Sequence, residues 1–221
     1  MKILSGDGVL DALDFFYSTV GFRVSKKTVL PTTVQQGTLY GYSSGTSVIR
    51  VGEKEHKVED NQFFCLVVHN EEVTIQPSRW TFAVFRLGYI GIPLIGGPIE
   101  QSGRLVYIDG CSDSHLVFPN RLGDPSLNSL YFPKKTIQSF HTHPTIRVGC
   151  VAKGSGIAEL KGKRKSLKPG DVFLIDANET HRFLTKANEM VVIAFHPDGD
   201  WGPTDQQHSM INRTYLTDPT T

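Results

Sequence analysis

Short stretches of alternating apolar and polar residues cover most of the chain. Successive side chains of a β-strand point to opposite faces, so this alternation predicts strands that bury one face. Glycine, proline, asparagine and aspartate interrupt the stretches at intervals of about ten residues, which is typical of an all-β sandwich or barrel. The predicted strands include TSVIRVG, NQFFCLVV, TFAVFRL, RLVYID, SLYF, DVFLID and MVVIAF.

Residues 8–20 have a different pattern. Apolar side chains recur there at steps of three and four residues: Val9, Leu10, Leu13, Phe16 and Val20. This spacing places them on one face of an α-helix, and Gly21 follows as a typical helix end. We therefore expect a short N-terminal helix ahead of the strands.

Two segments of the chain are similar to each other without a gap. GTSVIRVGEKEHKVEDNQFFCLV (45–67) aligns with GSGIAELKGKRKSLKPGDVFLID (154–176), so that Gly45 matches Gly154. The shared order of turn, strand and turn favours a duplicated β-unit. The expected division is a first unit at 1–90, a connection with one strand at 91–128, and a second unit with a C-terminal tail at 129–221.

The second unit contains a histidine pattern. In QSFHTHPTIRVG (138–149), His141 and His143 stand two residues apart in an extended stretch, so both imidazoles leave the same face. Further on, Pro169-Gly170-Asp171 forms a turn before an apolar strand, and DANETH then ends at His181. The order of these motifs raises the question of whether the three histidines lie close together in the fold.

This order of motifs resembles that of the cupin superfamily, whose members fold as antiparallel jelly-rolls. The first cupin motif has the form HxHxxxE before a strand that ends in GxG, and the second has PGD, an apolar strand and a late histidine. Residues 132–196 carry both in order. The resemblance implies an all-β fold of two jelly-roll units. It also implies one divalent metal per chain, bound by His141, His143 and His181.

One residue departs from the cupin pattern. Arg147 stands at the position of the motif glutamate and cannot bind a cation. The three remaining imidazoles leave coordination positions open, as catalytic metal sites require. Strand alternation directs Arg147 toward the barrel interior, where an unpaired charge is unfavourable. We therefore expect a carboxylate beside it, either that of Glu179 or that of a bound ligand.

The first unit lacks the same set of side chains. The alignment of the two segments, continued without a gap, places the following residues at the positions of His141, His143, Arg147 and His181: Thr32, Val34, Thr38 and Glu72. A single carboxylate does not hold a metal ion. The first unit is therefore expected to be a degenerate cupin without metal.

Composition limits the remaining possibilities. The net charge of +1 lacks the basic excess that nucleic-acid binding requires. Cys65, Cys111 and Cys150 are odd in number and have no CxxC spacing, which favours a reducing compartment. The first residues do not form a signal peptide, and no apolar run has the length of a membrane span. We expect a cytoplasmic protein that binds neither nucleic acid nor membrane.

Three imidazoles without a carboxylate suit iron(II), with zinc, nickel, copper and manganese as alternatives. The cupin resemblance implies an iron(II) oxygenase or dioxygenase that acts on a small anionic molecule. A non-redox isomerase or lyase, and a sensing module without turnover, remain open. The expected substrate contacts are Arg147, Val151, Phe183 and His196. We also expect a homodimer.

Overall fold

The structure is a computed structural model that describes residues 1–13, 16–31, 36–211 and 215. These residues contain twenty β-strands and a single 3-10 turn at Ile108–Gly110. The strands are β1 (Lys2–Leu4), β2 (Gly8–Ala12), β3 (Thr19–Val24), β4 (Thr28–Val29), β5 (Gln36–Ser44), β6 (Ser47–Val51), β7 (Lys54–Val58), β8 (Phe63–His69), β9 (Val73–Pro77), β10 (Trp80–Leu87), β11 (Leu94–Gly96), β12 (Leu105–Val106), β13 (Ser112–Val117), β14 (Ser126–Phe132), β15 (Arg147–Gly154), β16 (Gly156–Leu160), β17 (Lys163–Leu167), β18 (Val172–Ile175), β19 (His181–Leu184) and β20 (Met190–His196).

The all-β fold is confirmed, but the predicted N-terminal helix is wrong. The strands β2 and β3 occupy most of residues 8–20 and pair as an antiparallel hairpin, with Leu10 opposite Gly21. Pairing with other strands buries Leu10 and Val20, whereas Phe16 is 91% exposed, so the helical spacing does not correspond to a buried face. The described residues include no helix with the length and apolar character of a membrane span.

Each half of the chain forms a large sheet that is followed by a smaller one. In the second half, the larger sheet has the order β1-β18-β15-β20-β14-β13-β12, and the smaller has the order β17-β16-β19. In the first half, the orders are β11-β8-β5-β10-β3-β2 and β4-β9-β6-β7. The two halves therefore repeat one arrangement of strands, as the jelly-roll prediction requires.

The two halves exchange their edge strands. The first strand of the chain, β1, pairs with β18, with Lys2 opposite Leu174. The strand β11 in the connecting segment pairs with β8, with Leu94 opposite Cys65. Cys65 and Leu174 occupy matching positions in the alignment of the two segments, so the two exchanged strands cover equivalent edges.

Hairpin registers follow the internal repeat. Ser47 lies opposite Val58 in the first half, and Gly156 lies opposite Leu167 in the second. The alignment of the two segments matches the first pair with the second. The segment at 91–128 contains β11, β12 and β13. The predicted domain boundaries stay a prediction.

Three groups of buried apolar residues hold the chain together. One fills the first barrel and includes Phe22, Phe64 and Phe85. Another lies in the second barrel and includes Phe173 and Val192. The third lies between the two large sheets and takes side chains from both halves, including Tyr40, Phe82, Val148 and Phe195. Tyr40 and Phe195 meet across this layer with ring centroids 4.9 Å apart.

Candidate metal centre and its cavity

Three histidines of the second barrel converge. One ligand atom from each of His141, His143 and His181 can be chosen so that all three lie within 4.8 Å of one another. The ring centroids are 4.5 Å apart for His141 and His181, 5.1 Å for His141 and His143, and 5.2 Å for His143 and His181. No other group of three histidine, cysteine or carboxylate side chains in the described part of the chain lies this close.

Backbone hydrogen bonds bring these residues together. His141 and His181 form an isolated antiparallel bridge in which each amide donates to the other's carbonyl at 3.0 Å. The Asn178 amide donates to the carbonyl of His143 at 2.7 Å. His143 lies in an irregular segment before β15, so the regular alternation expected from the sequence does not by itself direct its side chain.

The tautomers of two imidazoles are fixed in the way that metal ligands require. Nδ1 of His141 is 2.9 Å from the carbonyl of Ser139, and Nδ1 of His181 is 2.7 Å from the carbonyl of Glu179. A carbonyl only accepts, so each Nδ1 is the protonated nitrogen and Nε2 keeps its lone pair. Burial is the main cause that lowers the pKa of His143 to about 3 and that of His181 to about 4. Both rings are therefore neutral at pH 7, the state that binds a metal ion.

The histidines line a cavity of about 60 Å³. Its wall is apolar over most of its area, with side chains from β14, β18, β19 and β20. The lining residues are Tyr107, Asp113, Leu130, Phe132, Gln138, His141, His143, Arg147, Phe173, Ile175, His181, Phe183, Val192, Ala194 and His196. Since one water requires roughly 10–15 Å³ of such space, the cavity has room for about four to six heavy atoms.

Arg147 begins β15 and lies in the cavity wall. Its Nη1 donates to the Thr145 hydroxyl at 2.7 Å, to the Ile146 carbonyl at 2.9 Å and to the Thr145 carbonyl at 3.3 Å. Its Nε is buried and has no hydrogen-bond partner. Nη1 is thus anchored to the protein, while the edge formed by Nε and Nη2, which suits a carboxylate, has an unmet donor.

The predicted partnership of Glu179 with Arg147 is wrong. The Glu179 carboxylate instead forms an ion pair with the Met1 backbone amine, a neighbour that sequence separation does not reveal. The closest carboxylate link to Arg147 is indirect, because the Thr145 hydroxyl that accepts from Arg147 donates to Asp198 at 2.7 Å. Asp198 comes from the C-terminal tail, which returns to the barrel: the Gly123 amide donates to the carbonyl of Gly199 at 2.8 Å.

Comparison with known proteins agrees with this geometry. Residues 130–196 match the family model described as "Cupin domain". The matched segment contains all three histidines and both motifs. Residues 130–196 therefore form a cupin domain. No curated protein matches the chain in sequence.

Solved cupin structures share the fold at low identity. A putative glyoxylate-induced protein from Pseudomonas aeruginosa is 14% identical with a TM-score of 0.61, over 89% of this chain and 81% of that one. A mutant of Bacillus subtilis oxalate decarboxylase is 9% identical with a TM-score of 0.53, over 89% and 70%. Salicylate 1,2-dioxygenase from Pseudaminobacter salicylatoxidans is 8% identical with a TM-score of 0.55, over 80% and 70%. At these identities the likeness concerns the fold alone.

Three of the four predicted substrate contacts line the cupin cavity, and one does not. Arg147, Phe183 and the partly buried His196 belong to the wall. Val151 is fully buried in the core of the second barrel and is absent from the cavity lining. It lies four residues from Arg147 along β15, about 13 Å at the rise of a strand, and so is too deep to reach the cavity.

Sequence reasoning missed several residues of the cavity wall, among them Asp113 and Tyr107. Asp113 lies on β13, and its Oδ2 accepts a hydrogen bond from Asn128 at 2.8 Å, while its Oδ1 is buried without a partner. Burial raises the pKa of Asp113. Tyr107 precedes the 3-10 turn and completes the same part of the wall. The segment CSDSHLVF is rich in polar residues and lacks the alternation that predicts a strand, so its pattern does not identify inward-facing positions.

The first barrel has no corresponding site among its described residues. Thr32 and Val34 lie outside the described residues. The Thr38 hydroxyl donates to the carbonyl of Tyr89 at 2.7 Å, which is a structural role. The alignment of Glu72 with His181 is wrong. His181 lies opposite Leu160, and the residue opposite the equivalent Val51 is Val73, a buried core side chain.

Proposed function

We propose that this cupin is a mononuclear metal-dependent enzyme that acts on a small carboxylate in its second barrel. The convergence of three imidazoles in the wall of a small, mostly apolar cavity carries this proposal. His141, His143 and His181 would hold the metal, and no carboxylate completes the set. A bound divalent metal supplies open coordination positions and Lewis acidity, and iron(II) also supplies redox chemistry.

Arg147 supports the assignment of an anionic substrate. Its anchored Nη1 fixes the guanidinium plane, and the buried Nε has a donor for which the described residues offer no acceptor. A carboxylate on the edge formed by Nε and Nη2 would satisfy that donor and compensate the buried charge. Two neighbours of the same fold, oxalate decarboxylase and salicylate dioxygenase, are named for carboxylic acids.

Cavity size and polarity favour a small substrate held away from water. A volume of about 60 Å³ is far below the roughly 300–1,000 Å³ of sites for drug-sized ligands. The aromatic walls at Phe132, Phe173 and Phe183 present an apolar surface, which favours the low water content that protects the reaction of an oxygenase. We therefore place iron(II) oxygenase first, with a metal-dependent isomerase or lyase as the alternative reaction class.

Oxygen consumption distinguishes these classes. The protein is loaded with iron(II) under nitrogen, mixed with each of a set of small acids and exposed to air, and a zinc-loaded sample is treated identically. An oxygenase consumes oxygen only with iron and only with its substrate. Equal conversion by zinc-loaded protein under nitrogen would replace the oxygenase with the isomerase or lyase. Binding without conversion in every arm would favour a sensing function.

Arg147→Lys tests the role of the arginine. Lysine keeps the charge but loses the planar pair of donors. We expect small-acid affinity to fall about 10- to 100-fold, the cost of a lost charge-assisted hydrogen bond, while metal content stays the same. Calorimetric titration and elemental analysis of the same samples measure both. Unfolding of Arg147→Lys, together with a wild type that binds no acid, would instead assign Arg147 to the fold.

A further inference from the structure

The cavity of the second barrel contains two buried polar groups of opposite character. Arg147 contributes an unmet donor at Nε, and Asp113 contributes an unmet oxygen at Oδ1. Both residues belong to the lining of the same cavity. Buried polar atoms are nearly always paired in folded proteins, so two unpaired atoms at one cavity indicate that a ligand pairs with them.

The two groups do not pair with each other. Arg147 is on β15 and Asp113 is on β13, and β20 and β14 lie between them. Three strand spacings separate their backbones by about 14 Å. No ion pair joins Arg147 to a carboxylate within the described residues. The side chains therefore face one cavity from two sides across the inward-facing Val192 and Ala194.

Neighbouring residues hold Asp113 in place. The Asn128 amide donates to Oδ2 at 2.8 Å and thereby leaves Oδ1 as the oxygen with no partner. Tyr107 lies near both charged groups: burial is the main cause that raises its pKa, Asp113 raises it further, and Arg147 lowers it. The fold thus sets the position of Asp113, whereas its Oδ1 has no hydrogen-bond partner among the described residues.

We infer that the cavity selects a small acid that also carries a hydroxyl or amino group, with the carboxylate on Arg147 and the second group donating to Oδ1 of Asp113. This inference deepens the proposed function and rests on it, because it names the substrate class of the same site. A volume of about 60 Å³ limits the ligand to short hydroxy or amino acids. Asp113 is then a substrate-recognition residue.

Matched pairs of acids test this inference. Zinc-loaded protein is titrated calorimetrically under nitrogen with glycolate against acetate, and with 3-hydroxypropionate against propionate. A plain acid leaves Oδ1 of Asp113 buried and unpaired, so we expect the hydroxy acid to bind about 10- to 100-fold more tightly. The second pair places the hydroxyl farther from the carboxylate and reduces its chelation of the metal.

The variant Asp113→Asn tests whether Asp113 causes the preference for the hydroxy acid over the plain acid. The amide keeps the shape and retains an oxygen for Asn128, but it replaces Oδ1 by a donor, so the preference for the hydroxy acid should fall to near unity while metal content is unchanged. The control is Asp205→Asn, an exposed residue paired with Arg121, which should behave like the wild type.

The outcomes separate this inference from the proposed function. Equal binding of both acids by the wild type, or a preference that persists in Asp113→Asn, overturns the role of Asp113 and leaves the anion site intact. Failure of the metal-loaded wild type to bind any of the four acids overturns the anion site, and this inference with it.

Discussion

The two barrels of this protein share an arrangement of strands but differ in their interior side chains. A glycine packs against an aromatic ring in each: a Cβ on Gly41 would lie 2.3 Å from Phe64, and one on Gly149 would lie 2.7 Å from Phe173. The interior positions differ. Phe85 is fully buried in the first barrel. Ala83 lies opposite Gly41 in the first barrel and Ala194 lies opposite Gly149 in the second, so the strand register places the cavity residue His196 at the position of Phe85. The two barrels therefore differ in the polarity of this interior position without a change of fold.

The two barrels also differ in the polar residues of their interiors. Val73 of the first barrel packs in the core at the position where the second barrel has His181. The described interior of the first barrel contains apolar side chains and hydrogen-bonded hydroxyl groups, whereas the second contains imidazoles, a buried guanidinium and a buried carboxyl group. Burial of such groups is unfavourable unless a metal ion or ligand pairs with them. The comparison favours a structural role for the first barrel and is consistent with the function proposed for the second.

The largest effect on stability is expected when a large side chain is removed from the core of the first barrel. Phe85→Ala removes a fully buried ring, and we expect the free energy of unfolding to fall by about 3–5 kcal/mol, measured by urea denaturation. The matched control Phe16→Ala changes a ring that is 91% exposed and should alter stability by less than about 0.5 kcal/mol. A small loss for Phe85→Ala would contradict the structural role of this core.

The sequence was sufficient to predict the fold class, the repeat and the histidine triad, because alternation and motif order are local patterns. It was insufficient where distant pairing decides the structure. Residues 8–20 have helical spacing, yet Leu10 is buried in a hairpin with Gly21. A gapless alignment also could not detect the one-residue shift that replaces Glu72 by Val73 opposite Val51. The ion pair of Glu179 with the Met1 amine joins residues far apart in sequence.

A smaller effect should follow from adding metal to the second barrel. Because the metal binds the folded state, a free metal concentration of 100 times its dissociation constant stabilises the protein by about 2.7 kcal/mol. For a chain of this length that corresponds to a rise in Tm of roughly 5–10 °C. Thermal unfolding with and without zinc measures the rise. Its persistence in His141→Ala combined with His181→Ala would contradict binding by these side chains.

The smallest effect concerns a surface pair that the two barrels carry in reversed order. Arg50 lies opposite Glu55 in the first barrel, with Nη2 2.6 Å from Oε2, whereas Glu159 lies opposite Arg164 in the second. Exchange of Arg50 and Glu55 should leave stability unchanged, and Arg50→Glu alone should cost no more than about 1 kcal/mol through repulsion. Urea denaturation of the single and double variants measures the difference. A large cost of the exchange would show that the order of charges matters to the hairpin.

Metal content tests the central comparison most directly. Protein purified without chelators, reloaded with zinc or iron(II) and freed of excess metal, is analysed for metal per chain, in the wild type and in His141→Ala combined with His181→Ala. Three converging imidazoles in one barrel, and the core residue Val73 at the position of His181 in the other, predict one metal per chain in the wild type and none in the variant. Two metals per chain, or one metal that survives the double substitution, would contradict the assignment of the site to the second barrel.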